Sequence, residues 1–288
     1  MRVTKGRVPT GSRLPGDMRA TLLVVAALLL LAGVSTFVFA DRTDDLFAWT
    51  IQPPLTAAFM GAGYWATIAL VVLAARAPTW EHARIAFPST TLFALLVLGA
   101  TALHFDRFHQ GRPITWAWIA IYIAVPVLLA VFGLREARRK GHRLVRTARM
   151  PLWALVLLGT QAAVMVPLGV ALFAAPETFD TVWPWPLTPL TGRVVGAWLV
   201  GLGLGAAHSA LERDWLRARP AAATAMLFGA LELVALARYS ETVDWGDGRT
   251  LGYVTMLGFM LALGGVGVAS GLAATHEAQA RPASAAES

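Results

Sequence analysis

The 288-residue chain contains no cysteine, which excludes disulfides, thiolate nucleophiles and cysteine-held zinc or iron–sulfur centres. Charge is scarce as well: Asp, Glu, Lys and Arg together make up 14% of the chain, against roughly 25% in soluble domains. A soluble globular fold is excluded on that ground. Lysine is nearly missing, with only Lys5 and Lys140 among 24 basic residues. Arginine replaces it beside abundant Ala, Gly, Leu and Val, the usage of a GC-rich bacterial genome. No P-loop, GxSxG, HExxH or Rossmann glycine pattern occurs, so the common nucleotide, hydrolase and metalloprotease signatures are absent.

What the chain has instead is long uncharged runs. No Asp, Glu, Lys or Arg lies between Arg19 and Asp41, Asp45 and Arg76, Arg84 and Asp106, Arg112 and Arg135, Arg149 and Glu177, or Arg249 and Glu277. Each run can hold the ~20 apolar residues that cross a bilayer. Eight helical spans are predicted, near residues 21–40, 54–75, 87–105, 115–134, 152–174, 189–210, 221–239 and 250–272. The fold class is all-α, a polytopic transmembrane bundle whose first partner is the lipid bilayer.

The formal net charge of +7 would suggest nucleic acid in a soluble protein, but here it sorts by membrane side. With the N-terminus inside, eighteen basic residues fall on the inner segments and five on the outer ones, with Arg193 within a span. Both termini are expected on the cytoplasmic side of a bacterial inner membrane, and nucleic acid is not an expected partner. A signal peptide is the competing reading of the first span, which ends Val38-Phe39-Ala40 like a small-residue cleavage site. Its length, and an internal counterpart near 152–174, favour a retained helix.

That counterpart belongs to an internal repeat. Pro54-Leu55-Thr56 with Gly61-Ala62 recurs 135 residues later as Pro189-Leu190-Thr191 with Gly196-Ala197. At the same offset Trp80 falls on Trp215 and Thr115 on Thr250, and Phe47-Ala48-Trp49 matches Trp183-Pro184-Trp185 with one residue slipped. Four spans per half, an even number, make the repeats parallel, with a pseudo-twofold axis along the membrane normal. The predicted organisation is a basic tail (1–20), repeat one (21–134), a basic linker (135–151), repeat two (152–272) and a disordered tail (273–288).

Several residue groups stand out, each with a plain reading beside the functional one. The doubled motif places Pro54 and Pro189 in first helical turns and Trp49 and Trp185 at headgroup level. The functional alternative has Thr56 and Thr191 facing each other across the axis and lining a cleft. Gly192/Gly196, Gly201/Gly205 and Gly267/Gly271 form GxxxG pairs, which read as close helix packing or as a face for an oligomer.

Glu232 is a carboxylate within the seventh span. An acid at mid-span costs ~2.5–3.5 kcal/mol on insertion scales, so a partner is expected. Arg193, one turn into the sixth span, lies at a compatible depth, and Gln161 of the fifth span is a further candidate. The pair reads as an ion-pair lock or as a substrate or proton site. At the outer end of the third span, His104, Asp106 and His109 could ligate a metal or act as acid and base, with Tyr239 and Glu241 at the equivalent places of the second half. The spacing matches no metal signature, and an interfacial polar cap is the plain alternative. Haem is not expected, because axial histidines must face one another at one depth and His104 and His208 fall at opposite ends of their spans. No cofactor or metal is predicted.

The blocks Phe47 to Thr56 and Trp183 to Thr191 resemble segments of a family of multi-pass bacterial inner-membrane proteins without a named function. The resemblance implies location alone and brings no catalytic residue with it. The functional expectation is a small-molecule or lipid transporter or binding protein with its site at the repeat interface, a lipid or other small molecule being the ligand. A membrane enzyme acting at the outer leaflet and a non-catalytic assembly subunit are the alternatives.

Overall fold

The computed structural model describes residues 13–139 and 148–280. Most of the basic N-terminal tail (1–12), the centre of the basic linker (140–147) and residues 281–288 lie outside the described residues. Among the described residues there are eight helices long and apolar enough to cross a membrane, and no strand, only two isolated bridges. The chain is a polytopic all-α bundle.

The spans are α1 (Gly16–Gly33, continued by a π-turn over Val34–Val38), α2 (Pro54–Ala75), α3 (Ala86–Leu103), α4 (Pro113–Ala137), α5 (Leu152–Ala174), α6 (Pro189–Glu212), α7 (Trp215–Arg238) and α8 (Gly248–Ala280). Their starts follow from local chemistry. Proline opens α2, α4 and α6 at a position whose N–H is not needed. Thr188 and Thr191 form a reciprocal capping box on α6, and the Asp214 carboxylate accepts the N–H groups of Leu216 and Arg217 at the start of α7. The expected boundaries are corrected at three places. α6 runs on to Glu212 and α7 begins at Trp215, so the connection between them is far shorter than predicted. α8 continues to Ala280, into the segment expected to be disordered.

α2 and α6 bury 72% and 56% of their most apolar stretches inside the molecule, against 28% and 22% for α4 and α5. The inner helices are α2, α3, α6 and α7, and α1, α4, α5 and α8 form the periphery. α1 packs on α2 and α5 on α6, α3 on α4 and α7 on α8, while α2 packs on α7 and α3 on α6. Each half therefore splits, its first helix pair joining the last pair of the other half.

Glycines set the closest approaches, as expected where lipid supplies no hydrophobic drive between helices and backbone contact must do so. A Cβ on Gly61 of α2 would lie 2.5 Å from the backbone N of Phe37, and one on Gly196 of α6 would lie 2.5 Å from the Gly169 carbonyl and 2.8 Å from the backbone N of Phe173. On the side of α2 toward α6, Gly63 receives the indole of Trp198, whose ring would lie 2.8 Å from an added Cβ. Gly267 meets Ala222 in the same way at 2.7 Å. Of these, Gly196 and Gly267 belong to the GxxxG pairs, and both face into the bundle.

Candidate functional site

At the end of the bundle where α2 and α6 begin, two loops fold back over the helices. Each carries two aromatic rings onto a third from a peripheral span. Phe47, Trp49 and Trp118 have mutual centroid distances of 4.8, 5.2 and 5.0 Å. Trp183, Trp185 and Tyr253 have 5.1, 5.1 and 5.3 Å. All are edge-on or T-shaped, the arrangement ring quadrupoles prefer. Trp49 and Trp185 are only 2% exposed, so they turn into the bundle at this end and are not exposed rings of an aromatic belt. Exposed rings near the helix ends belong instead to Trp116, Trp153 and Trp245.

The Trp185 indole N–H donates to the Thr56 hydroxyl (2.9 Å), tying the second loop to α2. Thr191 is committed to its capping box with Thr188, and neither threonine lines the cleft described below. Their expected meeting across a cleft is not what the structure holds. Trp185→Phe should cost about 0.5–1.5 kcal/mol for the lost hydrogen bond. Trp49→Phe, whose indole N–H has no partner, should cost less. Unfolding of both variants in detergent separates the bond from the loss of ring volume.

Glu232 is fully buried. One carboxylate oxygen accepts the Tyr253 hydroxyl (2.9 Å) from α8, and the other has no hydrogen-bond partner. Arg193 does not reach it. The guanidinium turns to α3, donating to His104 Nε2 (2.7 Å) and to the Pro189 carbonyl (3.3 Å), so the expected Glu232–Arg193 pair is not formed. Burial first, and then Arg193, hold the His104 imidazole below its ordinary value, and a neutral ring is what accepts a guanidinium N–H. Trp118 of α4 likewise donates its indole N–H to the Thr101 hydroxyl of α3 (3.1 Å).

The outer polar group is dispersed. Asp106 is exposed and pairs with Arg107 at 3.2 Å. His109 lies 3.4 Å from Asp44 and 3.3 Å from the Phe47 carbonyl. The Tyr239 hydroxyl donates to Asp41 (3.0 Å) and is pushed up to about 12 by burial and that carboxylate, while Glu241 is exposed. His104, Asp106 and His109 thus have different partners. Among the described residues no three His, Cys, Asp or Glu side chains converge as a metal site.

The structure brings together a different set. Between the inner helices, in the half of the bundle toward the arginine-rich end, lies a narrow cleft with a cavity volume of ≈ 70 Å³. α2 and α3 contribute Thr67, Ser89 and Phe93, and α6 and α7 contribute Trp198, Ser209 and Thr224. α5 contributes Gln161, the one expected site residue found here, whose amide donates weakly to Met165 Sδ (3.6 Å). The lining carries no charged side chain. Its hydroxyls at Thr67, Ser89, Ser209 and Thr224 donate back to carbonyls one turn earlier in their own helices.

Beyond the cleft, at the arginine-rich end, Glu212 closes an ion network that sequence reasoning missed. Arg84 Nε donates to one of its oxygens (2.6 Å), His208 Nε2 lies 3.2 Å from that same oxygen, and Arg217 reaches the other at 3.2 Å. The network joins α6 and α7 to the segment before α3. It forms because α6 ends at Glu212, Arg213 takes a left-handed conformation (φ 54°), and Asp214 starts α7 at once. Compared with family models, with curated proteins and with solved structures, the chain matches none.

Proposed function

We propose that this membrane protein binds or transports a small, mostly apolar molecule, lipid or otherwise, in the cleft between its inner helices. The observation that carries the reading is the cleft itself: uncharged, and walled by inner helices from both halves of the chain. An apolar lining with a few hydroxyls and one amide suits a ligand that is itself soluble in the bilayer.

The two halves are proposed to be parallel repeats. This is supported by the matched ring triads, by the matched helix pairings, and by the bridges Arg13 with Thr79 and Arg149 with Asp214. It is also supported by the shared contact of Gly61 with Phe37 and of Gly196 with Phe173. The arginine-rich end is proposed to face the cytoplasm of a bacterial cell, from the excess of basic residues there.

Gly205 lines the cleft, and a Cβ added to it would meet only Ala221, at 3.9 Å. Gly205→Leu should therefore fill the cleft without moving the helices. Mass spectrometry of protein purified in mild detergent is expected to show a bound small molecule in the wild type that is lost in Gly205→Leu. Identical spectra would sink the reading.

A further inference from the structure

Other faces of α3 and α6 border a second space. Pro88, Thr91 and Leu95 of α3, Gly133 of α4, and His208 and Leu211 of α6 line a groove of ≈ 790 Å³ that opens at the periphery of the bundle. It shares no residue with the cleft.

The groove exists because α4 and α8 pack differently. Against α7, α8 presents Gly264, Gly267 and Gly271, where added Cβ atoms would lie 2.6 Å from the Ala222 carbonyl, 2.7 Å from the Ala222 Cβ and 3.1 Å from Arg219 Cδ. The residues 135 positions earlier on α4 are Leu129, Phe132 and Glu136. Leu129 and Phe132 are buried in a cluster that includes Met18 and Leu22 of α1, and Arg135 pairs with Asp17 at 3.0 Å. α4 is thereby tied to α1 through side chains at this end and packs on α3 less extensively than α8 does on α7, and a channel is left beside α3.

The two ends of the groove differ in chemistry. Its wall along α3 and α4 is aliphatic and faces the region of lipid tails. Its mouth holds Arg84, His208 and the Glu212 carboxylate that both of them and Arg217 face. Exposed Arg138 and Arg139 follow directly on Ala137 at the same rim, Arg139 pairing with Glu136 at 3.1 Å. A tail-shaped apolar slot below a cationic rim matches one occupant. We propose that this groove holds an anionic phospholipid of the bilayer, one acyl chain lying between α3 and α4 and its phosphate set against Arg84 and His208.

The test uses the full chain in detergent, titrated with dioleoylphosphatidylglycerol or dioleoylphosphatidylcholine and read by native mass spectrometry and thermal melting. Gly133→Leu is the blocking variant, since nothing lies within 4 Å of an added Cβ there, and Ala130→Leu on the same wall is the second. The glycerol lipid is expected to remain bound and raise Tm, with at least tenfold weaker binding of the choline lipid. Each blocking variant should lose tenfold or more of the glycerol-lipid affinity while melting like the wild type without lipid, and Gly205→Leu should keep it. Equal binding of the two lipids, or wild-type binding in the blocking variants, overturns the proposal.

Discussion

Glu212→Ala is expected to lower unfolding stability by roughly 3–5 kcal/mol, the usual cost of removing one member of a buried ion pair. The size follows from what is left behind. The Glu212 side chain is 2% exposed and that of Arg217 5%, so alanine leaves a guanidinium in the packed turn between α6 and α7 without the carboxylate that faced it. Arg84 loses the same partner and can turn outward, because its side chain is 27% exposed. Asp17→Asn is the control. Its pair with Arg135 is solvated on both sides, and such pairs contribute little. Denaturant unfolding of both variants in mixed micelles measures the difference. A Glu212→Ala loss no larger than that of Asp17→Asn would show that the network is not a structural tie.

Alanine at Gly61 or at Gly196 is expected to loosen the bundle by a similar amount in each half, about 1–3 kcal/mol or more. The added methyl at Gly61 meets the backbone of Phe37, and that at Gly196 meets the backbone of Gly169 and Phe173. Backbone cannot swing aside as the end of a flexible side chain can, so a helix pair must separate. Gly159→Ala and Gly252→Ala, with nothing within 4 Å of the new atom, should be neutral or slightly stabilising, since alanine is the better helix former. Thermal melts of the four variants check the pattern. Unequal effects at Gly61 and Gly196 would count against their equivalence.

The spans were legible because a bilayer forbids what the sequence lacks. Runs free of charge must be helices there, since no other open structure satisfies its own backbone. Side-chain partners were less legible, because hydropathy gives depth along a helix and not direction around it. Arg193 and Glu232 were matched by depth, yet Arg193 points to His104 of α3 while Glu232 points to Tyr253 of α8. Glu212 was hidden by a boundary. With α6 ending near 210 and α7 starting near 221, it read as a loop residue, whereas the left-handed Arg213 and the Asp214 cap fold it into the bundle. A signal was present in His208 and Glu212, four residues apart and so on one helix face. Trp49 and Trp185 read as belt residues because a tryptophan beside a span usually marks the interface. Only the path of the loop shows that these two turn inward.

The crossed pairing of helices bears on how the molecule is made. α2 finds its inner neighbour in α7 and α3 finds its own in α6, so during synthesis the first four spans enter the membrane before either neighbour exists. The face of α2 that carries Gly63, which receives Trp198 of α6, must wait in lipid or against the insertion machinery until the rest of the chain emerges. Assembly of the inner ring is therefore a late event in biogenesis, and a ribosome that stops within the linker releases an intermediate whose α2 and α3 have their peripheral partners but not their inner neighbours.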